Sequence, residues 1–268
     1  MNEKSGKIRV SETVEIAYRE CGNGEPLIML HAFPLSQKMW DAQFNYFAQT
    51  HRPITFDWRG FGESSIGSEI STMENFADDA AQLMTALQVE KATLCGLSMG
   101  GYAALAFYRK YPQRVSALIL ADTRAGADSE EGKRTRYEIA EMVRQSGASR
   151  IADKMIPQLI SEKTQQKNSE TAIWIRNIIE ANSPPAIAAA LRGMAERQDS
   201  SDLLSVINCP TLIIVGSNDV LTPPVESEKM ANQIRHSQLE IIDEAGHLSN
   251  IENPEKFNQV AAEFLKRG

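Results

Sequence analysis

Three residues of this chain have the types and order that nucleophilic catalysis needs. Ser98 lies in Gly96-Leu97-Ser98-Met99-Gly100, a G-x-S-x-G pattern between the apolar run KATLCGL and the alanine-rich stretch MGGYAALAFYRKY. A serine at a strained strand-to-helix turn projects its Oγ from the top of a sheet, and glycines two residues to either side relieve the crowding of such a turn. Serine is a weak nucleophile without a base. The chain has four histidines, His31, His51, His236 and His247. His51 and His236 sit beside Arg52 and Arg235 in polar stretches and read as solvated. His247, in DEAGHLSNIENPE, follows the last strand-like run, where open α/β sheets build their sites. The base needs an acid to fix its tautomer. Asp219 ends the run IIVGSND and precedes Pro223 and Pro224. Asp122, after the strand ALILAD, is the rival acid, and it reads instead as a cap or packing partner of the helices that follow.

An acyl-transfer site also needs two donors for the oxyanion. The Met99 N–H, at the start of the helix after Ser98, is one. The Phe33 N–H, in the loop after the strand-like run PLIMLHA (26–32), is the other, with Pro34 fixing the turn. Arg124 reads as a surface or hinge charge, and contact with a substrate carboxylate is the alternative. Met142, Trp174, Ile178 and Met194 are apolar residues that either face a pocket or pack one helix on another.

These residues need a frame that carries several strand ends to one edge. Short apolar runs alternate with longer helical patterns, which predicts an α/β fold with a mostly parallel sheet of eight strands flanked by helices. KIRVSE and VEIAYRE read as an antiparallel hairpin at one border of that sheet. MENFADDAAQLMTALQ has apolar residues at helical spacing. From Thr123 to about Ser205 no strand-like run occurs, and roughly four helices are expected. The predicted organisation is therefore a core of residues 1–122 and 206–268 with a helical cap over 123–205.

Composition bounds the partners. The chain has 268 residues, 42% hydrophobic and 24% charged, with a net charge of −7. That balance suits a globule with a substantial core, and the acidic charge argues against nucleic acid or an anionic membrane as partner. No apolar run approaches the ~18 residues of a membrane span, and MNEKSGKIRVSE has no apolar leader segment. The three cysteines, Cys21, Cys95 and Cys209, are far apart and outside metal-binding spacing, so no metal or other cofactor and a reducing cytoplasm are expected. A homodimer is compatible with the sequence, which does not fix an oligomeric state.

The motifs HAFP (31–34), DWRGFGESS (57–65), GLSMGG (96–101), GSNDVLTPP (216–224) and GHLSNIENPE (246–255) together resemble the α/β-hydrolase fold-1 superfamily. Within it the chain is similar to the group of 3-oxoadipate enol-lactonase-like proteins and small carboxylesterases, and to cofactor-free haloperoxidases and perhydrolases. The resemblance implies Ser98 as nucleophile, Asp219 as acid, His247 as base, and Phe33 and Met99 as backbone donors. It implies a small ester or lactone as substrate, with His31 a structural residue beneath the oxyanion loop. Asp57 and Arg59 would tie the 57–65 loop to its surroundings. Peracid formation through the same serine, or ligand capture by a receptor-like protein that keeps the triad, are the alternatives. One departure marks the resemblance. His31 is followed by Ala32 where the family usually has glycine, a residue that tolerates backbone angles alanine resists.

Overall fold

A computed structural model describes residues 3–266. Met1, Asn2, Arg267 and Gly268, which the expected core segments include, lie outside the described residues. Eight strands form one sheet: β1 (Lys4–Arg9), β2 (Glu15–Glu20), β3 (Pro26–Leu30), β4 (Arg52–Phe56), β5 (Ala92–Leu97), β6 (Val115–Ala121), β7 (Thr211–Gly216) and β8 (Ser237–Ile242). Their order is β1-β2-β4-β3-β5-β6-β7-β8. β1 and β2 pair antiparallel, β2 joins β4 antiparallel, and the other pairs are parallel. The expected eight-stranded, mostly parallel sheet is therefore present.

The burial of each strand follows its position. β5 and β7 are buried at every residue, as central parallel strands covered on both faces must be. The border strand β1 is almost wholly exposed, and Lys4, Lys7 and Arg9 on it oppose pairing with another edge. The sheet is covered by α1 (Asp41–Phe47), α2 (Met73–Ala86), α3 (Met99–Lys110), α10 (Pro224–Gln233) and α12 (Pro254–Leu265). Here α2 packs on α3 and α1 on α12. Thr72 starts α2 with a capping box, its hydroxyl accepting from the Asn75 N–H while the Asn75 side chain accepts from the Thr72 N–H.

Between β6 and β7 the regular structure is all helical. It contains α4 (Glu130–Ser146), α5 (Ala148–Leu159), α6 (Glu162–Lys167), α7 (Ser169–Glu180), α8 (Pro184–Ala195) and α9 (Ser201–Leu204). Six helices stand where four were expected, because α6 and α9 are too short to show an apolar period. The insertion has a core of its own, in which α4 packs on α8 and α5 on α7. A short α11 (Ser249–Glu252) precedes α12. No helix among the described residues is long and apolar enough to cross a membrane.

Candidate active site

Four strand ends and one loop meet above the sheet. At the end of β5 the chain turns into α3 within one residue, and Ser98 adopts φ 55° and ψ −114°. That left-handed conformation is strained for a residue with a Cβ, so the surroundings must hold it. They do: the Ser98 N–H donates to the Ala121 carbonyl of β6 (3.0 Å), and the Thr123 hydroxyl donates to the Ser98 carbonyl (2.9 Å). The glycines leave no room for alternatives. A Cβ on Gly100 would lie 2.0 Å from the Leu30 oxygen, and one on Gly96 would lie 2.3 Å from the Gly100 oxygen. The G-x-S-x-G spacing is thus a packing requirement of the turn itself.

Ser98, Asp219 and His247 form one hydrogen-bonded chain. His247 Nε2 lies 2.8 Å from Ser98 Oγ, and His247 Nδ1 lies 2.8 Å from Asp219 Oδ2. The carboxylate fixes the proton on Nδ1, which leaves the Nε2 lone pair facing the serine hydroxyl. Asp219 and His247 are buried, whereas Ser98 is partly open. Asp219 is held by its own loop. Its Oδ1 accepts from the N–H groups of Leu221 (2.8 Å) and Thr222 (3.0 Å), and its Oδ2 accepts from the Thr222 hydroxyl (2.7 Å). Burial alone would raise the carboxyl, but His247 and these hydrogen bonds outweigh it and hold Asp219 below the usual carboxylate range.

The rival acid has a different place. Asp122 does not cap a helix of the insertion. The first of those helices is capped by Ser129, whose side chain accepts from the Gly132 N–H. Asp122 instead lies wholly buried at the end of β6, where Oδ1 accepts from the Gly216 N–H (2.8 Å) and Oδ2 from the Ser249 hydroxyl. It ties β6, β7 and the His247 loop together. Burial first, and the nearby Asp219 charge second, push its carboxyl well above the ordinary range. The site therefore holds two buried aspartates shifted in opposite directions.

Neither the Phe33 nor the Met99 N–H donates to another group among the described residues. Met99 begins α3, so its N–H lies at the positive end of the helix dipole. Phe33 follows Ala32, whose N–H donates to Met39 Sδ (3.1 Å) and whose carbonyl accepts from the Leu35 N–H (2.9 Å). Ala32 is not among the residues with positive φ, so this turn does not need the glycine common in the family. The Phe33–Pro34 bond is cis.

His31 sits beneath this turn. Its Nε2 accepts from the Trp58 N–H (3.0 Å), while the Trp58 indole donates to the His31 carbonyl (3.0 Å). Full burial lowers its pKa to about 4 against the opposing pull of Asp57, so it is neutral and structural. Asp57 accepts from the Gln37 N–H (2.8 Å) and the Glu63 N–H (3.0 Å), and Arg59 pairs bidentately with Asp79 (2.6 and 2.7 Å).

The cavity in front of Ser98 has a volume of about 100 Å³. The core side is formed by Phe33, Ser98, Leu221, Thr222 and His247. Facing them are Tyr102, Arg124, Arg136, Met155 and Met194. Of the four apolar candidates of the insertion, Met194 reaches this cavity, while Trp174 and Ile178 line a separate groove beside β1 and β2. Met142 packs against the core cluster.

Sequence reasoning missed two residues that support the loops. Asn182, just after α7, accepts from the Gly62 N–H (2.8 Å) and donates to the carbonyls of Pro34 (2.8 Å), Leu35 (3.3 Å) and Ile178 (3.0 Å). It holds the loop that carries Phe33. Glu252 accepts from the Gly246 N–H (2.6 Å) and from the Ser161 N–H (2.9 Å) and hydroxyl (2.6 Å), which ties the His247 loop to the turn between α5 and α6. Both links are long-range, and no local pattern marks them.

A serine on a strained elbow, a histidine and aspartate from later strand ends, and a parallel sheet beneath them define an α/β-hydrolase. Residues 25–254 match the family model of the alpha/beta hydrolase fold, and the chain belongs to that family. It is similar to 3-oxoadipate enol-lactonase 1 of Acinetobacter baylyi, 32% identical over 258 residues, which span 96% of this chain and 95% of that one. It is 30% identical over 273 residues to a Synechocystis protein named as a non-heme chloroperoxidase, across 96% of each chain. Its backbone superposes with a TM-score of 0.95 on a thermophilic esterase from Thermogutta terrifontis solved with malate bound, at 45% identity over 98% of each chain.

Proposed function

We propose that this chain hydrolyses a small carboxylic ester or lactone through an acyl-enzyme on Ser98. The observation that carries the reading is the continuous chain from Ser98 Oγ through His247 to Asp219, with both links at 2.8 Å. The enol-lactonase and esterase among its relatives support the same class, a carboxylic ester hydrolase.

In this mechanism Ser98 Oγ attacks the carbonyl carbon as His247 Nε2 takes its proton. Asp219 keeps the imidazole oriented and stabilises the imidazolium. The N–H groups of Phe33 and Met99 receive the oxyanion. Collapse of the tetrahedral intermediate breaks the acyl–oxygen bond, and His247 returns the proton to the leaving oxygen. In a lactone that oxygen stays in the same molecule. Water then attacks the acyl-enzyme with His247 again as base, releasing the acid and restoring Ser98. No cofactor enters these steps. The helices between β6 and β7 act as the cap over the cavity. Three unpaired cysteines, two of them buried, fit a reducing compartment, and we assign the protein to the cytoplasm.

Purified protein is expected to hydrolyse p-nitrophenyl acetate or butyrate. Ser98→Ala is expected to lower kcat by roughly 10⁴-fold or more with an unchanged circular dichroism spectrum. Wild-type turnover no faster than that of the variant would sink the reading. A second reading is motivated by the chloroperoxidase-named relative. Hydrogen peroxide in place of water on an acetyl-enzyme would give peracetic acid, and no peracid from acetate and peroxide removes it.

A further inference from the structure

We propose that Arg136, with Arg124 beside it, forms a carboxylate subsite in the Ser98 cavity, so that the substrate is a short ester or lactone bearing a free carboxylate near the reacting carbonyl. The proposal deepens the esterase reading and rests on it for the place of Ser98.

Three guanidinium groups converge on a single carboxylate. Asp128 is paired with Arg124, Arg136 and Arg197. Arg197 lies away from the cavity and is held from several sides, although its Nε, like that of Arg124, is buried without a partner. Its side chain is 3% exposed, it donates to the carbonyls of Met194 and Gly126, and its guanidinium lies 4.2 Å from the Tyr102 ring centroid. Asp128 and Arg197 can neutralise each other as a buried pair. Arg124 and Arg136 are then two cations without further carboxylates, and both line the cavity that contains Ser98 and His247. Among the described residues no aspartate or glutamate lines that cavity, although the chain carries a net charge of −7.

Donors are also left over. The Arg124 Nε is buried without a hydrogen-bond partner. Arg136 gives Nε to Asp128 and Nη1 to the weak acceptor Met194 Sδ, and Nη2 has no partner among the described residues. The buried Arg124 donor is unfavourable unpaired, and the Arg136 Nη2, on a partly exposed side chain at the cavity, is free to donate to an anionic oxygen. Guanidinium geometry suits a carboxylate in particular, because two N–H groups meet two oxygens. Asp128 and its three arginines all belong to the insertion, and a single arginine would already neutralise that carboxylate. The cavity of about 100 Å³ limits the ligand to a short chain.

The test compares monoethyl succinate with its neutral isostere, ethyl 4-methylpentanoate, by pH-stat. Wild type is expected to show the higher kcat/KM on the anion. Arg136→Gln is expected to lower the anionic-to-neutral ratio by about tenfold or more, chiefly through KM, and Arg136→Lys to retain part of it. Succinate binding to Ser98→Ala, read by calorimetry, is expected to weaken by a similar factor when Arg136→Gln is added. If neutral esters turn over as well as the anion and Ser98→Ala does not bind succinate, the subsite is overturned and the esterase reading stands. If succinate binds through Arg136 but neither ester turns over, the esterase reading falls and the subsite stands. The wild-type preference for the anionic ester and succinate binding to Ser98→Ala need no change at Arg136, so a misfolded Arg136→Gln does not leave the matter open.

Discussion

The two walls of the Ser98 cavity are built in different ways. The core wall comes from strand ends, and each group is fixed by its own short turn. Ser98 is pinned between Gly96 and Gly100, and Asp219 by N–H groups two and three residues further on. The opposite wall includes the helical insertion, and what joins it to the core spans long separations, such as Asn182 to Pro34 and Glu252 to Ser161. Reactive geometry is thus encoded locally, where the backbone is over-determined. The loop that offers the Phe33 N–H depends on a residue that arrives 148 positions later. Changes on the core wall should act on the chemical step. Changes on the insertion should act through placement and selectivity.

The largest test of that contrast is Asp219→Asn. The amide can reverse the tautomer of His247, placing the proton on Nε2 where the lone pair is needed. A fall in kcat of ~10⁴ is expected with little change in KM. A loss smaller than that of Asp122→Asn in stopped-assay kinetics would mean that the other buried carboxylate is the acid.

Asn182→Ala probes the insertion side. It removes four hydrogen bonds at once, two of them to the Pro34–Leu35 backbone. A loop displaced by a fraction of an ångström moves the Phe33 N–H, the proposed oxyanion donor, and a kcat loss of about 10–100-fold is expected. Unfolding free energy should fall by about 2 kcal/mol, from the Gly62 N–H and the carbonyls left unpaired. A melting loss without a kcat loss would confine Asn182 to stability and break its link to the proposed oxyanion role of the Phe33 loop.

Asp122→Asn should be milder in kcat, within about tenfold, because Asp122 does not touch His247 in the hydrogen-bond chain. Its signature is in pH. Asp122 has a raised folded pKa, so its stabilising effect is complete below the unfolded value of about 4 and is lost as pH rises through the folded pKa. The slope in that window is up to ~1.4 kcal/mol per pH unit. Asp219 has a depressed folded pKa, so its contribution is present above about 4 and is lost as pH falls. Denaturant melts between pH 4 and 8 should show Asp122→Asn gaining on wild type as pH rises. A variant whose deficit is constant across that range would mean Asp122 is ionised throughout.

The same division explains what the sequence discloses. The eight strands and the order Ser98, Asp219, His247 are legible, because apolar runs ending in Gly, Asp or Pro are local signals. Thr222 stands three residues after Asp219, and its hydroxyl reaches the carboxylate through the same short turn. Asn182, Glu252 and Arg136 carry no such mark. Each is an ordinary polar residue in or beside a helix, and its partner is set by how the insertion folds back. Asp122 shows the opposite error. Its position after a strand suggests a helix cap or a packing partner of the helices that follow, but Ser129 caps the first of them, and the wholly buried carboxyl joins two strand ends to the His247 loop.

Ala32 is the mildest case and the most direct check on reading backbone from residue type. Glycine is the family habit at this position, which suggests that alanine strains the turn before Phe33. The geometry says otherwise: φ at Ala32 is not positive, the residue is fully buried, and its N–H and carbonyl are both bonded. Alanine at a negative φ restricts the unfolded chain more than glycine does, and its methyl fills space in the core. Ala32→Gly should therefore destabilise by about 1 kcal/mol, not relieve strain. Turnover should stay within about threefold, since Asn182 and the Leu35 bond hold the loop from outside. A variant that is more stable and faster than wild type would show that the turn is strained by alanine after all. It would also return the weak point of the site to the core wall.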